Sequence, residues 1–405
     1  MGFNMLWRIA RLSLWHRRIT ISLIVLALTL AFAVLLAVEH IRHEVRDTFT
    51  GTVSGVDLIV GARTGSSNLL LYSLFGIGSP TRNISWTSVE TITQQPAVDW
   101  VVPLSMGDSH RGFRVLATTD AFFAHFHYGQ QRPLLWRQGQ GFATSREVVV
   151  GAAVAQQLGY IPGDSLVLAH GQGRTSFSLH SDHPFKVSGV LAPTGTPVDQ
   201  TLLINLDAMD QIHGHSPGAQ PQAVSALLVG LNNRIQTFAL QRYINEFDQE
   251  ALLAILPGVE LSLLWENLRW IETSLRSIAA LVLLSSMLGM ITLLLVSIQQ
   301  RQEELGTLRS LGAGPWSVFA LIEIEVLLIT GSALLLALLI TQLGLLAASQ
   351  WLAHITGIQL TPLSIDIRLL GWLGLLLLIS LMVAVIPAWL ASRRSLLQQL
   401  HSERH

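Results

Sequence analysis

Closely spaced histidines are the side chains whose type most directly indicates chemistry in this sequence. The chain has 14 histidines and no cysteine. Three histidine pairs lie between residues 125 and 215: His125 with His127, His180 with His183, and His213 with His215. A neutral imidazole commonly binds zinc or copper, and residues two apart share one face of a strand. The pairs therefore predict a metal site in which Asp182 or Asp199 supplies oxygen. Ordinary polar surface residues in loops are the alternative.

Side chains for other catalytic chemistry are not arranged in a recognisable pattern. The absence of cysteine excludes thiolate nucleophiles and disulfide bonds. Gly65-Ser66-Ser67 lacks the Gly-x-Ser-x-Gly pattern of a nucleophile elbow, and no His-Glu-x-x-His zinc motif occurs. The sequence therefore predicts a chain that has no catalytic activity of its own.

A short polar segment carries the densest motif, Arg301-Gln-Glu-Glu-Leu-Gly-Thr-Leu-Arg-Ser-Leu-Gly-Ala-Gly-Pro315. Leu305, Leu308 and Leu311 fall three apart, which predicts one apolar side of a short helix. Gly312, shortly before the proline, predicts where that helix ends. An amphipathic helix lying parallel to a membrane is a natural docking element for a soluble partner. A solvated connector between two spans is the alternative.

Four long apolar runs frame these motifs: Ile19–Val38, Ile278–Ile298, Val326–Ser349 and Leu369–Leu390. Each is close to the ~20 residues that span a bilayer as a helix. The chain of 405 residues is 50% hydrophobic and only 13% charged, which is too apolar for an ordinary soluble protein. Its net charge of −1 creates no field that would attract nucleic acid.

The distribution of arginine predicts the orientation of the spans. Four arginines precede the first apolar run, and Arg301 and Arg309 lie in the 299–316 loop. The 350–367 loop has no lysine or arginine. The positive-inside rule therefore places both termini and the 299–316 loop in the cytoplasm. The basic start and the long first run predict an uncleaved signal anchor, preceded by an amphipathic helix that contacts membrane lipid.

The large insert between the first two spans reads as a mixture of strands and helices. Short apolar segments bounded by Gly, Pro, Asp or Ser predict strands at Val56–Val60, Trp100–Pro103, Arg114–Ala117, Glu147–Val150, Ser165–Ala169, Phe185–Leu191, Thr201–Ile204 and Ala226–Val229. Helical patterns cover Val89–Gln95, Ala152–Leu158, Asn205–His213 and Ile235–Ile255. The predicted fold class is an α-helical membrane protein with four transmembrane helices and a large α+β extracytoplasmic domain between the first and second. Two lobes are expected, one of them nested at roughly 105–190.

Two carboxylates precede the third apolar run. Glu323 and Glu325 point about 200° apart on a helix, so they do not readily share one ligand. We expect them to reach the interface or to pair with a cytoplasmic arginine. The small residues expected to permit close packing between helices are Gly289, Gly331, Ser332, Gly344, Gly371 and Gly374.

The motif at 301–315 resembles the cytoplasmic loop of ABC-transporter permeases of the macrolide-exporter, lipoprotein-release and FtsX type. Glu304-Leu305-Gly306, Leu308-Arg309-Ser310 and Leu311-Gly312-Ala313 match that family's pattern. The order of one span, a large external domain and three spans is also similar to the family. Leu158-Gly159 and Phe185–Leu191 resemble segments of its periplasmic core domain.

The resemblance implies a function and a set of partners. The permease subunit couples ATP hydrolysis on a cytoplasmic ABC ATPase to movement of a periplasmic domain, which acts on a hydrophobic, lipidic or peptidic substrate. It implies a second permease copy and a bacterial inner-membrane location. An ATP-binding loop needs a lysine in Gly-x-x-x-x-Gly-Lys-Ser/Thr, and the only lysine, Lys186, is in no such motif. ATP and Mg²⁺ are therefore expected on a separate chain.

The residues predicted to contact the ATPase are Arg301, Glu303, Glu304, Leu305, Gly306, Leu308, Arg309, Leu311 and Gly312. The expected boundaries are a cytoplasmic helix at 1–18, spans at 19–38, 270–298, 317–349 and 368–391, a periplasmic domain at 39–269, the coupling loop at 299–316, a short periplasmic loop at 350–367 and a tail at 392–405. An FtsX-like transmitter that controls a periplasmic enzyme, or a zinc- or copper-linked permease, are the alternatives. A periplasmic protein partner is a further expectation.

Overall fold

The computed structural model describes residues 3–51, 54–129, 131–170, 184–212, 221–310, 312–355, 362–364 and 366–402. The chain forms two compact units. The helical unit contains Met1–His43, Trp270–Ser349 and Leu360–His405, and the sheet domain contains Glu44–Arg269 and Gln350–Gln359. Six of the residues singled out in the sequence lie outside the described residues: the histidines His180, His183, His213 and His215, and Asp182 and Leu311.

The α-helices of the described residues are α1 (Phe3–His16), α2 (Arg18–Gly51), α3 (Ser66–Leu70), α4 (Trp86–Thr93), α5 (Ala121–His125), α6 (Ala152–Leu158), α7 (Leu206–Ile212), α8 (Thr237–Asn245), α9 (Pro257–Gln300), α10 (Gln302–Ser310), α11 (Pro315–Ile355) and α12 (Ile367–Ser402). Within this part of the chain, four segments are long and apolar enough to cross a membrane: Arg18–Glu44, Pro257–Gln300, Pro315–Ser349 and Ile367–Ser392. The prediction of four apolar helices is confirmed.

The long helices of the helical unit pack through one buried stripe on α2. Ile24, Leu28, Phe32 and Leu36 recur every four residues, so they lie on one face of the helix, and all four are buried. They belong to a cluster with residues of α9, α11 and α12. Between apolar helices in lipid, such contacts stabilise mainly by van der Waals packing.

The glycines of the spans do not mediate this packing within the chain. A Cβ atom added at Gly289, Gly331, Gly344 or Gly371 would meet no atom within 4 Å, apart from the neighbouring turns of its own helix. These glycines therefore make no close contact between helices of this chain, and close packing at them stays a prediction. The close contacts are made instead by buried alanines such as Ala333, which packs in the α2 cluster.

The strands of the sheet domain are β1 (Leu58–Ala62), β2 (Ile84–Ser85), β3 (Val98–His110), β4 (Phe113–Thr118), β5 (His127–Tyr128), β6 (Arg132–Pro133), β7 (Trp136–Gly139), β8 (Glu147–Val150), β9 (Ser165–Leu166), β10 (Ala169–His170), β11 (Phe185–Leu191), β12 (Thr201–Asn205), β13 (Ala223–Val224), β14 (Ala226–Leu231) and β15 (Leu252–Ile255). The main sheet has the order β15-β1-β14-β3-β4-β12-β8-β11-β7. The long strand β3 lies inside this sheet and pairs with β14 through its first half and with β4 through its second.

Continuous apolar runs in the strands arise because both faces of this sheet are buried. In β8, Val148 and Val150 enter one core cluster, whereas Val149 between them enters the cluster on the opposite face. Strands covered on both faces show unbroken apolar sequence instead of alternation. This pattern explains why the strands were recognisable from the sequence as short apolar blocks.

Two of the predicted elements are wrong. The segment Ile235–Ile255 is not one helix, because α8 ends at Asn245 and β15 follows at Leu252. The Asn245 side chain accepts a hydrogen bond from the backbone of Ala254 at 2.7 Å, which closes the connection, and β15 pairs with β1. The predicted strand Ser165–Ala169 is divided into β9, which pairs with β11, and β10, which pairs with β3.

His110 is a buried histidine whose two ring nitrogens both have partners. Nδ1 lies 2.7 Å from the carbonyl oxygen of Val167 and Nε2 lies 2.8 Å from the hydroxyl of Tyr160. Because a carbonyl can only accept, Nδ1 carries the proton and neutral Nε2 accepts from the tyrosine. Burial disfavours the charged imidazolium and lowers the pKa of His110 below its ordinary 6.5.

Acidification is therefore expected to loosen the second half of β3. Because the pKa of His110 is lowered in the folded state, the unfolded state binds more protons in acid. The contribution of His110 to folding stability is therefore complete above the ordinary histidine pKa. It is lost as the pH falls towards the lowered pKa of the folded state. Hydrogen exchange of the full chain at about pH 7.5 and about pH 5.5 tests this. On going from the higher to the lower pH, His110→Gln should lose less protection of the β3 amides than wild type does. A Gln side chain can donate and accept hydrogen bonds at the same places. Equal acid effects in both proteins would contradict the prediction, and His16→Gln, at an exposed site, is the control.

Candidate coupling site

Helix α10 lies at the predicted coupling loop and has one buried side and one exposed side. Leu305 is 6% exposed and packs in a cluster with α1, the start of α11 and the end of α12. Glu304, Gly306 and Thr307 are exposed. A Cβ atom added at Gly306 would meet nothing within 4 Å, so the space beside it is open. The helix is therefore fixed through its apolar side while its polar side remains accessible.

The amphipathic α1 supplies part of the wall against which α10 packs. Leu6 and Ala10 lie in the same cluster as Leu305 and are buried. They are four residues apart, so they share one face of α1. The apolar face predicted for this helix therefore packs against protein, at least in part, and the exposed Trp15 and Leu12 lie elsewhere on its surface.

A buried ion pair lies immediately before α10. The guanidinium of Arg301 forms a two-pronged pair with the carboxylate of Glu325 in α11, and the two side chains are 3% and 4% exposed. Arg301 also donates to the hydroxyl of Ser13 in α1 at 2.9 Å. The expectation that Glu325 pairs with an arginine is confirmed, and the cytoplasmic location of that arginine stays a prediction. Removing one partner of such a pair is costly, because it leaves an uncompensated buried charge.

A second arginine, Arg17 in the turn between α1 and α2, contacts α9 and α10. Nη1 of Arg17 donates to the carbonyl oxygen of Ser297 at 2.7 Å and to its hydroxyl at 2.6 Å. Nη2 of Arg17 lies 3.7 Å from a carboxylate oxygen of Glu304, which is 70% exposed. This longer ion pair is open to solvent and contributes little stability.

Burial separates the predicted contact residues into two groups. Arg301 and Leu305 are enclosed by the chain itself, so they cannot form the surface that a partner touches. Glu304, Gly306 and Gly312 are exposed, and Leu308 is half-buried. Glu303 and Arg309 belong to α10 by backbone, and nothing is assigned to their side chains. Sequence reasoning missed Ser13, Arg17 and Ser297, because their partners lie about 280 residues away along the chain.

A second set of ion pairs joins α2 and α9 near the other end of the helical unit. Arg42 donates to Glu39 in its own helix at 2.6 Å and lies 3.6 Å from Glu272 in α9. Arg276 of α9 lies 3.6 Å from Glu39. Glu272 is only 23% exposed because it faces α2.

Arg42→Gln should therefore weaken the junction of α2 with α9. Each partly exposed pair contributes about 1 kcal/mol or less, so the expected loss in unfolding free energy is small, and salt should reduce it. Denaturant unfolding of the full chain in detergent at low and high salt measures it. Arg269→Gln, whose pair with Glu266 lies within one helix and is exposed, is the matched control. An effect of Arg42→Gln that does not depend on salt would contradict an electrostatic origin.

The described histidines of the predicted metal site lie in different elements. His125 ends α5 and stacks on Trp100, with ring centroids 4.5 Å apart. His127 begins β5, and its Nδ1 lies 2.8 Å from the carbonyl oxygen of His125. The premise that they share one strand face is therefore wrong. Among the described residues, no group of three His, Asp or Glu side chains is placed to hold a metal ion. The metal site stays a prediction.

Asp199, a proposed oxygen ligand, is engaged within its own loop. It is 2% exposed and accepts hydrogen bonds from the backbone of Thr194 and Gly195 and from the Thr194 hydroxyl, at 2.8–3.0 Å. Burial raises the pKa of this carboxyl group, although the hydrogen bonds oppose that shift. Its role in the described structure is to fix the loop that precedes β12.

Comparisons with known proteins give two family-model matches in this chain. Residues 19–247, more than half of the chain, match the family model of the MacB-like periplasmic core domain. Residues 276–396 match the FtsX-like permease C-terminal model. A search of curated proteins gave no match.

Solved structures provide two similar domains. The periplasmic region of MacB from Actinobacillus actinomycetemcomitans is 13% identical with a TM-score of 0.36, over 53% of this chain and 95% of that one. The extracellular domain of the ABC-type transporter YknZ from Gram-positive bacteria is 11% identical with a TM-score of 0.32, over 49% of this chain and 98% of that one. On the two family models, the chain belongs to the ABC-transporter permeases of the MacB and FtsX type.

Proposed function

We propose that this chain is the permease subunit through which a separate cytoplasmic ABC ATPase moves the periplasmic sheet domain. Permeases of this family work with cytoplasmic ABC ATPases and form dimers, are generally not catalytic themselves, and have an extracytoplasmic domain on an inner-membrane anchor. In this proposal the ATPase binds ATP and Mg²⁺. Both termini and α10 lie in the cytoplasm, as the arginine distribution favours.

The observation that carries the proposal is the two-sided character of α10. One side is fixed by Leu305 and by the pair that precedes the helix, and the other side exposes Glu304, Gly306 and Thr307. The exposed side supplies the contact surface, and the fixed side is needed to pass on the displacement of a bound partner, because a loosely held helix would absorb it. The exposed Trp316, at the start of α11, extends the accessible surface with an aromatic side chain.

The path from docking to the sheet domain is a single helix. Helix α9 runs for 44 residues from Pro257, two residues after β15, to Gln300, one residue before Arg301. At 1.5 Å per residue it is about 66 Å long, roughly twice the hydrocarbon thickness of a bilayer. The ion pairs of Arg42 and Arg276 connect it to α2, so the two helices are expected to move together.

A photo-crosslinking residue at Thr307 tests the docking surface in the native membrane. Thr307 is exposed on α10, and Thr87, exposed on α4 of the sheet domain, is the matched control site. We expect a soluble P-loop ATPase to be captured from position 307 and not from 87. Capture of no ATPase from 307, or equal capture from both sites, would contradict the proposed function.

The substrate class is proposed as hydrophobic, lipidic or peptidic. The test is stimulation of ATP hydrolysis when such compounds are added to the assembled permease and ATPase. If a periplasmic hydrolase copurifies and its activity follows ATP hydrolysis instead, the chain is an FtsX-like transmitter. Both outcomes retain the docking surface on α10 and differ only in what the sheet domain acts upon.

A further inference from the structure

The residue that joins the long helix α9 to α10 is anchored in other helices. Arg301 lies in the turn between them, where its backbone N–H donates to Ile298 at 3.3 Å and its carbonyl oxygen accepts from Leu305 at 3.0 Å. Its side chain leaves this turn, pairs with Glu325 in α11 and reaches Ser13 in α1. One guanidinium therefore connects the α9–α10 turn with two further elements.

The geometry of this pair fixes orientation as well as distance. Each of the two terminal nitrogens of Arg301 donates to a different carboxylate oxygen of Glu325. Such a two-pronged contact between planar groups restricts their rotation, which a single point contact cannot do. The two-pronged contact is not needed merely to keep α10 against α11, because Leu305, Val318 and Leu321 already pack together in the surrounding apolar cluster.

We infer that Arg301 and Glu325 are positioning residues that form the pivot of α10. They hold the turn against α1 and α11, so that a load applied to the exposed side of α10 rotates the helix about a fixed point and is passed to α9. The inference rests on the proposed function for the source of the load. The pivot itself is a property of this chain and can be measured without the ATPase.

Distance measurements between two spin labels test the pivot. The chain has no cysteine, so cysteines introduced by Leu12→Cys in α1 and Ser310→Cys in α10 are the only sites to which a spin label attaches. Both positions are exposed. The variants are Glu325→Gln, which keeps the shape and removes the charge, and Arg301→Lys, which keeps the charge and loses the two-pronged contact. Glu90→Gln makes the same chemical change at an exposed site of α4 and is the control.

The full chain without nucleotide should give one narrow distance distribution, as should Glu90→Gln. Glu325→Gln should lose the narrow peak, and Arg301→Lys should give an intermediate width. The amount of ATPase that copurifies should not change in any of the variants, because neither pivot residue is on the docking surface. A merely structural role would lower recovery of the assembled complex in parallel with the broadening.

Wild-type width in Glu325→Gln, or equal broadening in Glu90→Gln, would overturn the pivot. If Glu325→Gln is not recovered in folded form, Arg301→Lys decides the question, and a wild-type width in that variant overturns it. Failure of the proposed function is distinguishable from failure of the pivot. If the proposed function is wrong, wild-type protein captures no ATPase, and the label distances still show whether the pivot exists.

Discussion

Glu304→Lys combined with Gly306→Trp is expected to reduce copurification of the ATPase by about tenfold or more, the effect of losing ~1.4 kcal/mol or more at an interface hot spot. Both positions lie on the exposed side of α10, and the space next to Gly306 is open. A tryptophan there projects towards a partner and not into the core. The lysine at position 304 would repel a basic side chain of the ATPase that Glu304 contacts. Within the chain, only the solvent-exposed 3.7 Å pair with Arg17 is lost.

The matched control makes the same two changes elsewhere. Gly258→Trp with Glu260→Lys places the identical substitutions two residues apart at the start of α9, where Gly258 is also exposed and has no atom within 4 Å of an added Cβ. This variant should be expressed and should retain its ATPase. Equal loss in both double variants would indicate general damage, and undiminished copurification by the α10 variant would contradict docking there.

Glu325→Ala is expected to lower the free energy of unfolding by about 3–5 kcal/mol, the typical effect of leaving one partner of a buried pair uncompensated. Arg301 would remain 3% exposed with its carboxylate partner removed, and the Ser13 hydroxyl cannot neutralise it. Denaturant unfolding of the full chain in detergent provides the measurement, with wild type and variant compared in the same micelles.

The double variant Arg301→Met with Glu325→Leu separates charge from packing. Replacing both members of a buried pair by apolar side chains of similar size is often neutral or stabilising. We therefore expect the double variant to be more stable than Glu325→Ala, although it lacks both charges. If the double variant were as unstable as the single one, the cost would come from losing the paired contact itself and not from an unpaired charge.

Much of the fold follows from local sequence. The four apolar helices were predictable because ~20 apolar residues have no other stable form in a bilayer. The strands β8 and β11 were found as apolar blocks between turn residues, and their bounds agree with prediction. The connection between α8 and β15 was not predictable, because Leu252–Ile255 is apolar enough for either state and only its pairing with β1 decides the matter.

The site divides in the same way. The exposed α10 could be found because its residue pattern is local, whereas the pair of Arg301 with Glu325 needed the third span to return beside the second. Arg17 was counted only as an orientation signal, yet it binds Ser297, 280 residues away. A carboxylate immediately before an apolar run, Glu325, was the one signal in the sequence that a partner had to exist.

The central claim is that α10 receives a separate ATPase, and affinity purification of the tagged full chain from its native membrane tests it most directly. Mild detergent and added nucleotide preserve the complex, and mass spectrometry identifies what accompanies the chain. We predict a soluble P-loop ATPase in roughly one copy per permease chain, as expected for a symmetric assembly. Repeated recovery of the intact permease with no ATPase under these conditions would contradict the claim.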